Sequence, residues 1–149
     1  MEVTPEPPVR VFSPPEASAL VPGLQFSLAA VGEIRLELEE LLLELADGEP
    51  AALPDVLTGD RPSPPGREGD VERVRGLLGD LGRAVEGISG MGVVVHDLDL
   101  GLLDFPAIHE GRFVMLCWQA GEVGVDWFHE VGEGLEERVP LPHAHPVLQ

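Results

Sequence analysis

The chain has 149 residues, enough for one domain with a modest core, and a formal net charge of −18 in which all nine basic residues are Arg. A surface this acidic repels phosphate backbones and anionic lipid, so no nucleic acid and no membrane is expected as a partner; metal cations and basic partners suit it, and the charge also serves plain solvation. The single Cys allows no internal disulfide, the first residues lack the basic start and apolar core of a leader, and no apolar run approaches the roughly 20 residues of a spanning helix, so a soluble, cytoplasmic protein is expected.

Residues 1–11 are Pro-rich and read as extended. Ser13-Pro14-Pro15-Glu16 is a helix start, with Ser as N-cap, Pro at the first helical position and Glu at N3. A short helix to Leu20 follows, and Pro22 permits a kink or a fresh start. From 23 to 46, Leu24, Leu28, Val31, Ile34, Leu38, Leu41 and Leu45 recur at steps of three and four, which is one stripe of an α-helix. Glu33 with Glu37 and Glu40 with Glu44 repel at i,i+4, so this helix must rely on packing its apolar stripe. Residues 47–69, with Pro50, Pro54, Pro62, Pro64 and Pro65, read as a connector without regular structure.

A second helix is expected over 70–89, antiparallel to the first, on Val71, Val74, Leu77, Leu78, Leu81, Val85 and Ile88. Gly76, Gly79 and Gly82 lie inside it, spaced so that a neighbouring backbone could approach. After Gly92 the period changes to that of strands. Val93–His96 and Leu102–Phe105 suggest one hairpin, Phe113–Trp118 and Val125–His129 a second, and the tail from Pro140 reads as irregular. The expected fold class is α+β: a single domain in which an antiparallel helical pair packs on one face of a small antiparallel β-sheet. Lys, Asn and Tyr, whose codons are AT-rich, are absent, which points to a GC-rich, bacterial genome and leaves Gly to fill positive-φ positions.

The segment Phe113–Glu130 concentrates the chemistry. It holds the only Cys, both Trp residues, a His and several carboxylates. Cys117 and His129 lie on strands that pair across the turn at 119–124, Glu122 sits on that turn, and Asp104 ends the preceding hairpin. Directly opposed side chains bring Cβ atoms to about 4.5–5.5 Å, which suits shared ligation. Asp104, Cys117, Glu122 and His129 are therefore the candidate metal ligands, with zinc first among divalent transition metals; manganese or iron would take His and carboxylates and leave Cys out. Each has a plainer role too. Cys117 fits a buried small hydrophobe, His129 a satisfied core histidine, Asp104 a turn cap and Glu122 a solvated turn residue. A Cys117–His129 nucleophile–base pair lacks an evident oxyanion-stabilising turn. His96, in a strand, and His109, in a turn, read as structural, and His143 and His145 as part of a flexible tail.

With these residues in view, the chain resembles the bacterial and archaeal family called domain of unknown function 2203. The N-terminal motif is matched by Phe12-Ser13-Pro-Pro-Glu16-Ala17 with Leu20, Pro22 and Leu24. The C-terminal signature is matched by Asp97-Leu98, Gly101-Leu102, Asp104-Phe105-Pro106-Ala107, Gly111-Arg112, Leu116-Cys117-Trp118, Gly121-Glu122, Trp127, His129-Glu130 and Arg138. The chain departs from the family pattern at Ser13, where Thr is usual, and in its Pro-rich connector. The resemblance implies a family without an assigned reaction, some of whose members are described as possible metal binders. Two readings follow: a small divalent-metal-binding protein, with metal-dependent hydrolase as its enzymatic form, or a non-catalytic interaction module that forms a homodimer through the helical pair.

Overall fold

The computed structural model describes residues 10–46 and 50–142. The described chain is α+β, with three α-helices, α1 (Pro14–Leu45), α2 (Leu53–Thr58) and α3 (Glu68–Ser89), and five strands, β1 (Val94–Asp97), β2 (Leu102–His109), β3 (Arg112–Gln119), β4 (Trp127–Glu130) and β5 (Val139–Pro140). It divides into two compact units: residues up to Leu28 with those from Gly87 onward, and Ala29–Glu86.

The start of α1 is the expected capping box. Ser13 N–H donates to Glu16 Oε1 (2.8 Å) and Glu16 N–H donates to Ser13 Oγ (3.2 Å). Of the two outcomes Pro22 permits, the fresh start does not occur, and α1 runs through it for 32 residues. Pro22 is exposed, while Val21 and Leu24 on either side of it are buried, so packing outweighs the one lost backbone bond. This continuity also makes α1 long and apolar enough, by length and composition alone, to cross a bilayer, contrary to the expectation from the sequence. A core helix passes the same test, and Ala17, Val21 and Leu24 of α1 are core residues.

In the Ala29–Glu86 unit, the later turns of α1 pair with α3. Leu38, Leu45, Val56, Val71, Val74 and Leu77 form its core. Arg73 binds both oxygens of Glu37 (2.7 and 2.8 Å) and Arg67 reaches Glu44 (3.4 Å), an order that marks the two helices as antiparallel. Each arginine relieves one member of a repelling glutamate pair. The connector is more ordered than its prolines suggest. A 3-10 turn at Pro50–Ala52 leads into α2, where a Pro in the first turn forfeits no helical bond. Arg75 donates to Val56 O and Leu57 O near the C-terminal end of α2. Gly76 and Gly82 would meet nothing within 4 Å if given a Cβ, and Gly79 only its own helix's Arg83. No neighbouring backbone uses the glycine stripe among the described residues.

In the other unit the strands form one antiparallel meander in the order β1-β2-β3-β4-β5. Both expected hairpins are present, and β5 occupies part of what read as an irregular tail; it pairs Trp127 with Pro140 and Phe128 with Val139. His143 and His145 lie outside the described residues. The β2–β3 turn is Glu110-Gly111, both at positive φ (51° and 77°). One face of the sheet, carrying Leu103, Phe105, Val114, Leu116, Trp118 and Phe128, forms a core with Phe12, Ala17, Val21, Leu24 and Ile88. Thus the first turns of α1 and the end of α3 cover the sheet, whereas the paired helical segments have a core of their own. Pro106 sits within β2 because β1 stops pairing at Asp104, and Phe12 N–H fills the position beyond by donating to Pro106 O (2.7 Å).

Candidate metal centre

The opposite face of the sheet carries the polar groups. Asp104 pairs with Cys117, Cys117 with Trp127, and His129 stands two residues along from Trp127. With side chains alternating along each strand, Asp104, Cys117, Trp127, His129 and Met115 share this face. A further polar member comes from β1. The β1–β2 register runs Val94↔Asp104 and Val95↔Leu103, then jumps to Asp97↔Leu102, so His96 is the extra residue of a bulge. A bulge re-aims its side chain, and His96 Nδ1 lies 2.6 Å from Asp104 Oδ2.

Asp104 is thus held between two imidazoles. Its other oxygen, Oδ1, is 3.0 Å from His129 Nε2. Both Asp104 and His129 are buried, at 3% and 2% exposure, whereas 31% of the His96 side chain is open. The two rings meet edge to face with centroids 5.6 Å apart. Among the described residues, donor atoms of His96, Asp104 and His129 all lie within 4.8 Å of one another.

The protons on His129 narrow what this cluster can do. His129 Nδ1 is 2.8 Å from the backbone carbonyl of Glu130, which only accepts, so Nδ1 carries the hydrogen. In the neutral ring Nε2 is then a lone pair directed at a carboxylate oxygen. Two acceptors at 3.0 Å repel unless a proton or a cation lies with them. A ring fixed by Nδ1–H to a backbone carbonyl is also the arrangement that orients metal-ligating histidines. Two donors 3.0 Å apart can each reach a shared ion at about 2.0–2.2 Å.

The cluster opens into a cleft of about 300 Å³ lined by His96, Asp104, Met115, His129, Val131, Gly132, Glu133 and Gly134. The loop after β4 forms one wall and is tied to the site. Glu130 N–H donates to Glu133 Oε1 (3.2 Å), and Glu133 N–H donates to the same Glu130 carbonyl that holds His129 (3.0 Å).

Of the four residues singled out in the sequence, Asp104 and His129 come together and Glu122 stands apart. The Glu122 carboxylate receives both arms of Arg138 (3.0 and 2.7 Å) and the Gln119 N–H (2.8 Å). Its backbone carbonyl receives Trp118 Nε1–H (2.9 Å). It fastens the β3–β4 turn. Cys117 shares the face of Asp104 but is fully buried. Burial, reinforced by the Asp104 charge, pushes its thiol up to about 11 despite a hydrogen bond with Arg138, so it remains a neutral thiol at ordinary pH. Glu130 binds Arg112 (2.6 Å), as expected of a side chain directed away from the site. The residue that sequence reasoning passed over is His96. A hairpin that sets Val94 opposite Asp104 already puts residue 96 on the face of Asp104, but the bulge that completes the contact has no mark in Val-Val-His-Asp.

Residues 10–141 match the model of a family described as uncharacterized conserved protein (DUF2203). No curated protein and no solved structure matches the chain.

Proposed function

The chain belongs to the DUF2203 family, and from its geometry we propose that it is a divalent-metal-binding protein whose ligands are His96, Asp104 and His129, with zinc the first candidate. The observation that carries this reading is the convergence of His96, Asp104 and His129, whose donor atoms lie within 4.8 Å of one another, with His129 Nε2 and an Asp104 oxygen 3.0 Å apart. Cys117 and Glu122 are left out of the ligand set. Three protein ligands beside an open cleft leave a coordination position for water or substrate, which supports a metal-dependent hydrolase as the enzymatic form. The setting proposed is soluble and cytoplasmic, supported by the burial of α1 residues in the core and by the single, buried, unpaired Cys117.

The test is elemental analysis of protein purified without a His tag, followed by reloading with Zn²⁺, Co²⁺, Mn²⁺ or Fe²⁺. About one equivalent of metal, lost in His129→Ala with the fold retained, is the expected result. Wild-type protein that neither carries nor takes up any of these ions overturns the reading.

A second reading, dimerisation through the helical pair, is favoured by Leu36 and Leu43, which are 62% and 75% exposed one heptad apart. Light scattering that gives a strict monomer removes it.

A further inference from the structure

Resting on the metal reading, we propose that the cleft selects a small uncharged ligand that offers a lone pair to the ion and an N–H donor to Glu133, and disfavours anionic ligands. The walls carry the inference. Met115 and Val131 are apolar, Gly132 and Gly134 leave room, and the only charged wall residue besides Asp104 is Glu133. No Arg lines the cleft among the described residues. Arg138, on the same side of the sheet, is committed to Glu122, and Arg112 to Glu130. Beyond an ion itself, sites that favour phosphate or carboxylate add Arg, Lys or converging backbone N–H groups. Here Gly134 N–H is given to Glu137 Oε1 (2.6 Å) and Glu133 N–H to Glu130 O (3.0 Å), so these wall amides are spent.

Glu133 has the capacity to receive a donor. One oxygen is occupied by Glu130 N–H, and the second has no protein partner among the described residues. A ligand with a coordinating atom at one end and an N–H at the other satisfies both the ion and this oxygen. A carboxylate or phosphate in the same place shares the cleft with the Glu133 carboxylate, which offsets the attraction of the ion, within a chain of net charge −18.

The experiment uses the full chain loaded with Co²⁺, whose visible absorption reports ligand exchange, titrated with imidazole and with acetate. Wild type is compared with Glu133→Gln, in which the amide oxygen still accepts Glu130 N–H and the loop is retained. The imidazole-to-acetate affinity ratio is expected to fall at least threefold in Glu133→Gln, because imidazole loses a charged acceptor and acetate loses a repulsion. A ratio that moves less than threefold overturns the ligand inference while leaving metal binding intact. Failure of wild type to bind Co²⁺ overturns the metal reading and this inference with it.

Discussion

Arg138 holds Glu122 by both carboxylate oxygens while its guanidinium lies 4.4 Å over the Trp127 ring. The pair links the turn after β3 to the residue before β5 and stands beside the candidate centre without joining it. Planar, two-point pairing of this kind is among the stronger polar contacts, and here it is partly shielded from water.

Arg138→Ala is therefore expected to destabilise the fold by about 1–3 kcal/mol in urea unfolding, and Glu122→Gln by less, since the amide oxygen still accepts. Neither is expected to change metal stoichiometry. Loss of metal with full retention of stability in Glu122→Gln would return Glu122 to the ligand set.

At the centre itself, Asp104→Asn and His96→Ala are expected to weaken metal binding by at least about 100-fold, beyond the 10–100-fold typical of outer-shell changes. Competition with a chromophoric chelator measures this. A Cys117→Ser change is expected to leave the affinity within a few-fold. A large loss there would show that sulfur, and not the His96 nitrogen, completes the site.

Cys117 also predicts its own reactivity. A thiol held up at about 11 exposes almost no thiolate at pH 8. Labelling by a disulfide reagent should be slow in native protein and immediate after unfolding. The same shift makes stability fall as pH rises from the ordinary thiol value of 9.0 towards 11, because only the unfolded chain ionises freely there. Fast native labelling at pH 8 would contradict the burial.

The glycines of α3 offer a gain. Gly76 and Gly82 are exposed, lie within the helix and have open space at the Cβ position. Gly76→Ala and Gly82→Ala should each stabilise by about 0.5–1 kcal/mol, additively, in thermal or urea unfolding. A loss of stability would reveal a contact that these glycines serve.

The helix start makes a pH-dependent contribution. Ser13 N–H, followed by the Ser13 hydroxyl, holds the Glu16 carboxyl below its ordinary value of 4.5. Folding thus favours the carboxylate, and the contribution is present above pH 4.5 and fades as pH falls below it. Ser13→Ala, which keeps the backbone N–H, should remove about 1 kcal/mol at neutral pH, whereas Glu16→Gln should flatten this part of the acid-unfolding profile; an unaltered profile in Glu16→Gln would exclude the box as its source.

Periodicity made the helices and strands legible, because the apolar steps of three and four in α1 and α3 and the β-branched run at Val93 report backbone geometry directly. The capping residues at Ser13 and Glu16 were legible for the same local reason. At Pro22 the short helix to Leu20 was wrong, because a helix tolerates an interior proline when buried neighbours on both sides hold it, and burial is a tertiary property. Of the three residues of the candidate centre, Asp104 and His129 sit where two hairpins place them if their registers are regular. Glu122 stands apart because Arg138, distant in sequence, takes its carboxylate, and His96 shares the face of Asp104 but completes its contact through a bulge that Val-Val-His-Asp does not mark.

The amide of Phe12 docks on Pro106 O just where β1 ceases to accompany β2. The stretch ahead of α1 consequently acts as a guard on an otherwise unclaimed margin of main chain. Cut back to residue 13, the protein would lose a buried ring from its core and would also present a bare carbonyl and an open strand flank to its neighbours, so self-association would accompany the loss of stability.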